Sequence, residues 1–353
     1  MRKNLLYVST NDGSDARISK ELRTLSEHYD VHFYGFMRAG KNAGAALAGC
    51  KSYHLAAGSP RAVVPLVRYV LTVAVELVRY KDASVHVVNE ELLAIFYIFL
   101  LRKWVVLDVF DSIFLRMNKP GEKAYLAKRI LYWLPQVIIV TDDNRKELLP
   151  KFARRKSIVI PNVPRMAKYP NKVATREGSL VIYYVGSLSK DRGSSFIEKL
   201  LSADERISVV AAGWIYDTYT SNLLDHPRVT YIGVLPQADV NSRIASDADY
   251  LLAIYPLHND NNRNASPNKI FDSLHTRTPV IISTGTYASR VVEELGIGML
   301  VEEEGEIDFD DLSRLLFRSR TSFCFEEHVL RDYAWERYEA ILLSSHEQRR
   351  SSG

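Results

Sequence analysis

Two successive series of short apolar runs, separated by segments of helical character, extend through most of the sequence. The runs of the first series begin at Asn4, Val31, Val85, Trp104, Val137 and Ser157. Those of the second series begin at Ser179, Ile207, Val229, Tyr250, Pro279 and Gly298. Continuously apolar strands that alternate with helices are typical of parallel sheets buried on both faces. The pattern predicts an α/β protein with two doubly wound, Rossmann-like domains in tandem.

A proline-containing segment separates the two series. Residues 161–172 read PNVPRMAKYPNK, and three prolines among polar residues are typical of a linker. A chain of 353 residues is also long enough for two domains. We predict a first domain over residues 1–163 and a second over 164–330. Residues 331–353, which contain YAWERYEAIL, are predicted to form a helix and tail that cross back to the first domain.

Composition excludes several classes of protein. The 46 basic and 42 acidic residues are too evenly balanced to indicate a nucleic-acid-binding protein. Cys50 and Cys324 have neither metal-binding nor disulfide-framework spacing, which favours free thiols in a reducing compartment. The N-terminus lacks a signal-peptide pattern, and the uncharged run over residues 92–101 is about half of a membrane span. We therefore expect a cytoplasmic protein in which this run is a core helix.

The stretch SPNKIFDSLHTRTPVIIS contains the start of a helix with anion-binding character. Ser266 is a good N-cap residue, and Pro267 suits the first helical position. The backbone amides of Asn268 and Lys269, the helix dipole and the lysine charge then favour a phosphate. Asp272 shares their helical face and is placed to accept hydrogen bonds from sugar hydroxyls. The stretch predicts a nucleoside diphosphate site, and it also fits an ordinary capped helix.

A second candidate phosphate motif follows the first strand of the second series. The stretch YYVGSLSKDRG runs from an apolar strand into a turn at Gly186, followed by Lys190 and Arg192. Glycine allows a ligand to approach the backbone, and the two cations can neutralise a diphosphate. Neither the glycine fingerprint of dinucleotide sites nor a Walker A motif occurs in the sequence, which disfavours an NAD-linked dehydrogenase.

With these motifs the sequence resembles the retaining glycosyltransferases of the GT-B fold, of the group 1 or family 4 type. The resemblance runs through nearly the whole chain and is carried by DARISKEL, VIPN, SDADYLLAIYP, SPNKIFDSL and TPVIISTG. It implies two facing Rossmann-like domains, of which the first binds an acceptor and the second binds a nucleotide-diphosphate sugar. It also implies a metal-independent hexosyltransferase, with a saccharide or lipid-linked acceptor, in the biosynthesis of a surface polysaccharide such as exopolysaccharide, capsule or lipopolysaccharide.

The resemblance implies particular donor-site residues in the second domain. Arg192 and Lys190 would act as catalytic cations at the diphosphate, and Asp272 would bind the ribose. The other implied donor contacts are Gly186, Ser187, Gly233, Val234, Ser266, Pro267, Asn268 and Lys269. Cations and helix amides can stabilise the leaving diphosphate without a metal, so no cofactor is expected. The pair Asp247 and Asp249 resembles a DxD metal motif, but Asp249 leads directly into an apolar strand.

Polar residues at the strand ends of the first domain are the predicted acceptor site. Asp111 is the candidate catalytic residue on this side, and Glu90 and Asp111 are the best candidates for holding acceptor hydroxyls. The predicted acceptor-binding residues are Asp12, Gly13, Arg17, Asn89, Glu90 and Asp108. Residues of these types are also common in turns and helix caps.

Four positions depart from the pattern that the resemblance implies. Asn264 occupies the first acidic position of the donor motif, Ser187 a position where arginine is common, and Phe110 a position where histidine is common. Arg277 replaces a glycine, which would cost about 1 kcal/mol in a left-handed conformation. These departures leave open a non-catalytic nucleotide-sugar-binding partner of another transferase. A sugar-nucleotide epimerase is a further alternative, although no acidic and histidine set for its chemistry is evident.

Three arginines are predicted to lie on one face of a helix. Arg68 and Arg79 follow Arg61 by 7 and 18 residues, and both spacings are close to whole numbers of helical turns. The opposite side of this helix consists of Val and Leu. Such a stripe can bind anionic headgroups or a lipid-linked diphosphate at the cytoplasmic face of a membrane. It is equally typical of the solvated face of a packed helix.

Overall fold

The computed structural model describes residues 2–37, 47–170, 172, 178–258, 260–264, 268–302 and 306–347. The chain divides into two compact units, with a boundary between Asn162 and Val163. Unit 1 consists of Met1–Asn162 and Trp335–Gly353, and unit 2 consists of Val163–Ala334. Each unit is built on a parallel sheet, so the predicted doubly wound α/β architecture is confirmed.

The sheet of unit 1 has seven strands in the order β3-β2-β1-β4-β5-β6-β7. The strands are β1 (Asn4–Val8), β2 (Asp30–Phe36), β3 (Ser52–Ala56), β4 (Ser84–Val88), β5 (Val105–Asp108), β6 (Val137–Val140) and β7 (Ser157–Val159). Its helices are α1 (Ala16–Ser26), α2 (Val63–Arg79), α3 (Asn89–Leu100), α4 (Ile113–Arg116), α5 (Tyr125–Trp133), α6 (Asp143–Glu147) and α7 (Lys151–Arg154). All strand pairs are parallel, so the carboxyl ends of β1, β4 and β5 meet at one edge.

The sheet of unit 2 has six strands in the order β10-β9-β8-β11-β12-β13. The strands are β8 (Leu180–Leu188), β9 (Ile207–Ile215), β10 (Val229–Tyr231), β11 (Tyr250–Ala253), β12 (Val280–Ser283) and β13 (Gly298–Val301). Its helices are α8 (Ser194–Ala203), α9 (Thr218–Leu223), α10 (Gln237–Asp247), α11 (Asp260–Arg263), α12 (Asn268–Thr276), α13 (Tyr287–Leu295), α14 (Phe309–Ser319) and α15 (Glu327–Asp332). The longest pairing joins β8 to β9, from Leu180 opposite Ile207 to Leu188 opposite Ile215.

After α15 the chain returns to unit 1, as the sequence predicts. The indole of Trp335 is fully buried, and its Nε1 donates a hydrogen bond to Thr24 Oγ1 of α1 at 3.0 Å. Helix α16 (Glu339–Ser345) packs on α1, and Thr24 Oγ1 donates in turn to Glu339 Oε1. His346 bonds to Ser84 Oγ in β4. The C-terminal segment is thus part of the core of unit 1.

All twelve predicted strands are present, and one further strand, β3, was not predicted. Residues 161–170 form neither helix nor strand. Arg277 has a φ of +53°, so the departure from glycine does place a side chain in the left-handed region. Among the residues that the structure describes, no helix is both long and apolar enough to cross a membrane.

The apolar residues of α2 are divided between the core and the surface. Tyr69, Val73, Ala74 and Leu77 are buried, whereas most of the valines are exposed. Arg68 and Arg79 lie in this helix, but Arg61 precedes its first residue, Val63, so the prediction of three arginines on one helix is wrong for Arg61. Helix α3 contains the predicted core helix and is likewise divided, because Phe96 is buried but Ile98 is 77% exposed. The expectation that these apolar residues form the packed side of their helices is therefore wrong for a large part of them.

Candidate active site

Unit 2 contains a cavity of about 250 Å³ at the carboxyl ends of β8 and β9. The ends of these strands form one side, and the starts of α10 and α12 form the other. The residues that line it include Gly186, Ser187, Arg192, Gly213, Trp214, Val234, Gln237, Tyr255, Asn268, Lys269 and Asp272. The charged side chains among the described lining residues are Arg192, Lys269 and Asp272. A cavity of this kind can hold a small anionic ligand.

Backbone rather than side chain forms the floor of the cavity. Gly186 and Gly213 are opposite each other in β8 and β9, and both have positive φ, +98° and +138°. A Cβ atom on Gly213 would lie 1.9 Å from the carbonyl oxygen of Gly186, so only glycine fits there. A Cβ on Gly186 would meet Lys269 Cε at 3.9 Å, which leaves its inner side open. The glycine pair thus lets a ligand approach the main chain closely.

Two cations converge on the ring of Tyr255 in the cavity wall. The guanidinium of Arg192 lies 5.7 Å from the centroid of this ring, and Lys269 Nζ lies 5.8 Å from it. Lys269 Nζ also donates to the carbonyl oxygen of Leu252 at 3.0 Å. Burial, and next the charge of Arg192, lower the pKa of Lys269 to about 7, and Asp272 acts in the opposite direction. A bound anion would offset the electrostatic repulsion between Arg192 and Lys269.

Asp272 is buried, and α10 holds its carboxylate in place. Its Oδ1 accepts from Asn241 Nδ2 at 2.8 Å, and its Oδ2 accepts from Gln237 Nε2 at 3.0 Å. A carboxylate oxygen can accept more than one hydrogen bond, and Asp272 lines the cavity. Two neighbouring hydroxyls of a sugar would suit this carboxylate.

Trp214 supplies an aromatic surface that the sequence analysis missed. It is 45% exposed at the end of β9 and lines the cavity together with Val234. A large aromatic ring beside a polar cavity offers a stacking surface to a planar ligand group. The only signal in the sequence is its position directly after the strand glycine in VVAAGW.

No protein-family model matches the sequence, and no curated protein matches it. Among solved structures, sucrose-phosphate synthase from Thermosynechococcus elongatus matches with a TM-score of 0.71 at 13% identity, covering 97% of this chain and 98% of that one. HepE of Anabaena in complex with UDP and glucose matches with 0.66 at 13%, covering 98% and 96%. The lipopolysaccharide outer core galactosyltransferase WaaB matches with 0.64 at 14%, covering 97% and 98%. The chain has the GT-B glycosyltransferase fold.

Within this GT-B fold, the cavity of unit 2 brings together most of the predicted donor residues. Gly186, Ser187, Arg192, Val234, Asn268, Lys269 and Asp272 all line it. Gly233 is adjacent, and its carbonyl oxygen accepts from the amide of Gly213. Lys190 lies beside α9 instead, because its amide donates to Asp217 and its Nζ is 5.1 Å from the ring of Tyr219. Ser266 and Pro267 lie outside the described residues.

The structure of unit 2 places two of the departing positions, Ser187 and Asn264, and the second residue of the DxD pair, Asp249. Ser187 lines the cavity without a charge, and Asn264 Nδ2 donates to the carbonyl oxygen of Asp260. Asp249 is buried, where Oδ2 accepts from the amide of Val181 and Oδ1 lies 3.2 Å from Lys172 Nζ. Asp249 therefore connects β11 to β8 rather than facing the cavity.

The predicted acceptor residues lie at the carboxyl edge of the unit 1 sheet, and several bind other parts of the unit. Asn89 has a φ of +64°, and its Oδ1 accepts from the amides of Phe110 and Asp111. Glu90 is buried and accepts from Ser112 Oγ and the hydroxyl of Tyr132.

The acidic residue Asp12 lies at the same edge, and its Oδ1 accepts from the amide and the hydroxyl of Ser14. Gly13 follows with a φ of +89°. Asp111 is exposed. Binding of an acceptor by any of these residues stays a prediction.

Arg17 and Asp108 belong to a buried ionic cluster. Arg17 donates to both oxygens of Asp108 at 3.0 and 2.9 Å, and its Nε lies 2.9 Å from Glu21 Oε1. Burial, and next Asp108, raise the pKa of Glu21 to about 8, and burial lowers the pKa of His86 to about 4. Glu21, His86 and Asp108 have the spacing of metal ligands, but the guanidinium of Arg17 already lies between the two carboxylates.

Proposed function

We propose that the protein is a glycosyltransferase that transfers a sugar from a nucleotide-diphosphate sugar to a saccharide or lipid-linked saccharide, with retention. The cavity of unit 2 carries this proposal, because its lining residues include a suitable partner for each part of such a donor. Trp214 and Val234 offer a surface for the base, Asp272 an acceptor for ribose hydroxyls, and Arg192 and Lys269 two charges for the diphosphate. HepE has been solved with UDP-glucose, which makes uridine the first base to test.

In the proposed reaction the bond between the sugar C1 and the diphosphate oxygen breaks, and the acceptor hydroxyl forms the new bond on the same face. The hydroxyl proton passes to the departing diphosphate. Arg192 and Lys269 would stabilise the negative charge that develops there, with the amides at the start of α12. Lys269 lines the cavity whereas Lys190 lies beside α9, which supports Lys269 as the second cation of the reaction. Unit 1 would bind the acceptor, with Asp111 as its exposed carboxylate.

The proposal also concerns the pathway and the cellular compartment of the reaction. The resemblance to enzymes of surface polysaccharide biosynthesis supports that pathway, and the basic residues of α2 support work beside a membrane. Cys50 and Cys324 are free thiols, which supports a reducing compartment such as the cytoplasm.

The test begins with binding. UDP, GDP, dTDP, ADP and CMP, and their common sugars, are added to the protein while thermal unfolding is recorded. A ligand at about 100 times its Kd adds about 2.7 kcal/mol to stability. Arg192→Ala and Asp272→Ala should abolish the shift that one nucleotide produces, whereas Lys190→Ala, two residues from Arg192 but beside Tyr219, should retain it. No shift with any nucleotide, or equal loss in all three variants, would refute the assignment of the cavity.

A second candidate, a nucleotide-sugar-binding partner without activity, is favoured by the amide at Asn264. It would give the same binding result, so donor consumption must decide. A panel of saccharide and lipid-linked saccharide acceptors is offered with the donor that binds, and release of the nucleoside diphosphate is measured. Release that depends on an acceptor supports the transferase, and intact donor with every acceptor supports the binding partner.

A further inference from the structure

Three helices of unit 1 expose a large apolar surface. The outward side chains of α2, α3 and α5, here called the outer helical face, are mostly aliphatic or aromatic. On α5, Leu126 is 71% exposed and Trp133 is 68% exposed, with Ile130 between them. The other exposed apolar residues of the face are Val64, Val67, Leu71, Val75 and Val78 on α2, and Ile95, Ile98 and Phe99 on α3. Contiguous surfaces of this kind mark interaction sites.

The three helices form one continuous layer. Helix α3 packs against α2 on one side and α5 on the other, and the hydroxyl of Tyr97 donates to the carbonyl oxygen of Ile130 at 2.9 Å. Tyr69, Phe96 and Tyr132 point inward from α2, α3 and α5 into a single core cluster with the sheet. Because the inner sides share one core, the opposite sides share one surface. The exposed apolar residues are therefore parts of a common face.

The charges on this face favour an anionic partner. Arg68 follows Val67, Arg129 precedes Ile130, and both arginines are exposed. The acidic residues nearby are matched by arginines: Glu76 lies 3.5 Å from Arg79, and Glu91 pairs with Arg116. The face therefore combines the exposed positive charges of Arg68 and Arg129 with side chains that favour an apolar environment. Arginine with exposed aliphatic residues and tryptophan is the composition of surfaces that lie in the headgroup region of a bilayer.

We infer that the outer helical face docks on the surface of a bilayer that contains anionic lipids. Leu126, Ile130 and Trp133 enter the boundary between headgroups and acyl chains, and Arg68 and Arg129 bind lipid phosphates. The inference extends the predicted membrane contact from the arginines of α2 to a surface of three helices with exposed apolar side chains. The inference depends on unit 1 alone, whereas the proposed donor site lies in unit 2. Each can therefore be refuted without affecting the other.

The test uses the full-length protein and vesicles of phosphatidylcholine with and without phosphatidylglycerol, at low salt. Cosedimentation should show binding to the anionic vesicles and not to the neutral ones. Leu126→Ser/Ile130→Ser should abolish binding, and Arg68→Gln and Arg129→Gln should each weaken it by ~5-fold. Leu315→Ser, at an exposed leucine of unit 2, is the matched control and should bind as the wild type does. All substituted positions are exposed, and thermal unfolding verifies that each variant folds.

Tryptophan emission gives an independent measurement. Vesicles should shift the emission of the wild type to shorter wavelength, and Trp133→Phe should remove that shift. Failure of the wild type to bind anionic vesicles would overturn the inference. So would binding that survives Leu126→Ser/Ile130→Ser, because charge alone would then explain it. A dimer in lipid-free solution that this double variant makes monomeric would assign the face to a second copy of the chain, and would also overturn it.

Discussion

Lys269 should couple donor binding to proton uptake. Its pKa is about 7 in the cavity, against 10.5 for an unperturbed lysine, first because it is buried and next because Arg192 is close. About half of the protein molecules therefore carry a neutral Lys269 at pH 7. A bound diphosphate favours the charged form, so binding should draw in about half a proton at pH 7. Uptake should approach about one proton near pH 8 and fall to about a tenth near pH 6.

Calorimetric titration in buffers of different ionisation enthalpy measures this uptake directly. UDP-glucose, or whichever nucleotide-sugar stabilises the protein, is the suitable ligand, because a diphosphate diester does not titrate near neutral pH. Lys269→Met should remove the uptake and weaken binding by about 1.5–3 kcal/mol, which is ~10- to 150-fold in Kd. Lys190→Ala should change neither quantity.

Although Lys269→Met should weaken donor binding, it should increase the stability of the ligand-free protein. The folded pKa of Lys269 lies below its unfolded value, so its unfavourable contribution is complete below about pH 7 and disappears as the pH rises toward 10.5. Lys269→Met should therefore raise the melting temperature of the ligand-free protein at pH 7. Proton uptake that is independent of pH, or that persists in Lys269→Met, would refute the reasoning, because another group would then be responsible.

Three further predictions concern stability. The pKa of Glu21 is about 8 in the fold, so its stabilising effect is complete below pH 4.5 and is lost as pH rises through about 8. Glu21→Gln should flatten that decline in a melting series, and parallel curves would contradict it. Arg277→Gly should add about 1 kcal/mol in denaturant unfolding because it removes a left-handed side chain, whereas Arg277→Lys should add nothing. Gly213→Ala should destabilise the β8–β9 pair through its contact with Gly186 and abolish the thermal shift with nucleotide; a normal shift would contradict this.

The sequence predicted twelve of the strands that the structure describes and missed β3. Most of the predicted strands contain a continuous apolar run, although the predicted edge strand β10 reads VTY and has two exposed residues. Strand β3 lies at the edge of its sheet and reads SYHLA, and its first three residues are exposed. An edge strand with an exposed face needs no continuous apolar run, so its sequence is close to that of a loop.

Much of the candidate donor site was predictable because topology fixes where strands end and helices begin. Gly186, Asn268 and Lys269 lie within a turn of such a point. Gln237 and Asn241 could not be predicted, because they reach Asp272 only through the packing of α10 against α12. The sequence also could not show that Arg192 lines the cavity whereas Lys190 does not. Both lie in one three-residue 3-10 turn, and the direction of each side chain depends on the neighbouring aromatic rings.

Charge balance distinguishes the buried cluster around Arg17 in unit 1 from the half-buried cations in the cavity of unit 2. In unit 1 the guanidinium of Arg17 donates to both oxygens of the buried carboxylate of Asp108 and lies beside the buried side chain of Glu21, so its charge is compensated within the protein. In the cavity of unit 2, Arg192 and Lys269 are half-buried, and the one acidic residue among the described lining residues is Asp272, whose carboxylate is itself bonded to two side-chain amides. Buried charges require a partner. The first cluster supplies its own and is suited to holding a fold together, whereas the second has an excess of positive charge that an anionic ligand is suited to balance.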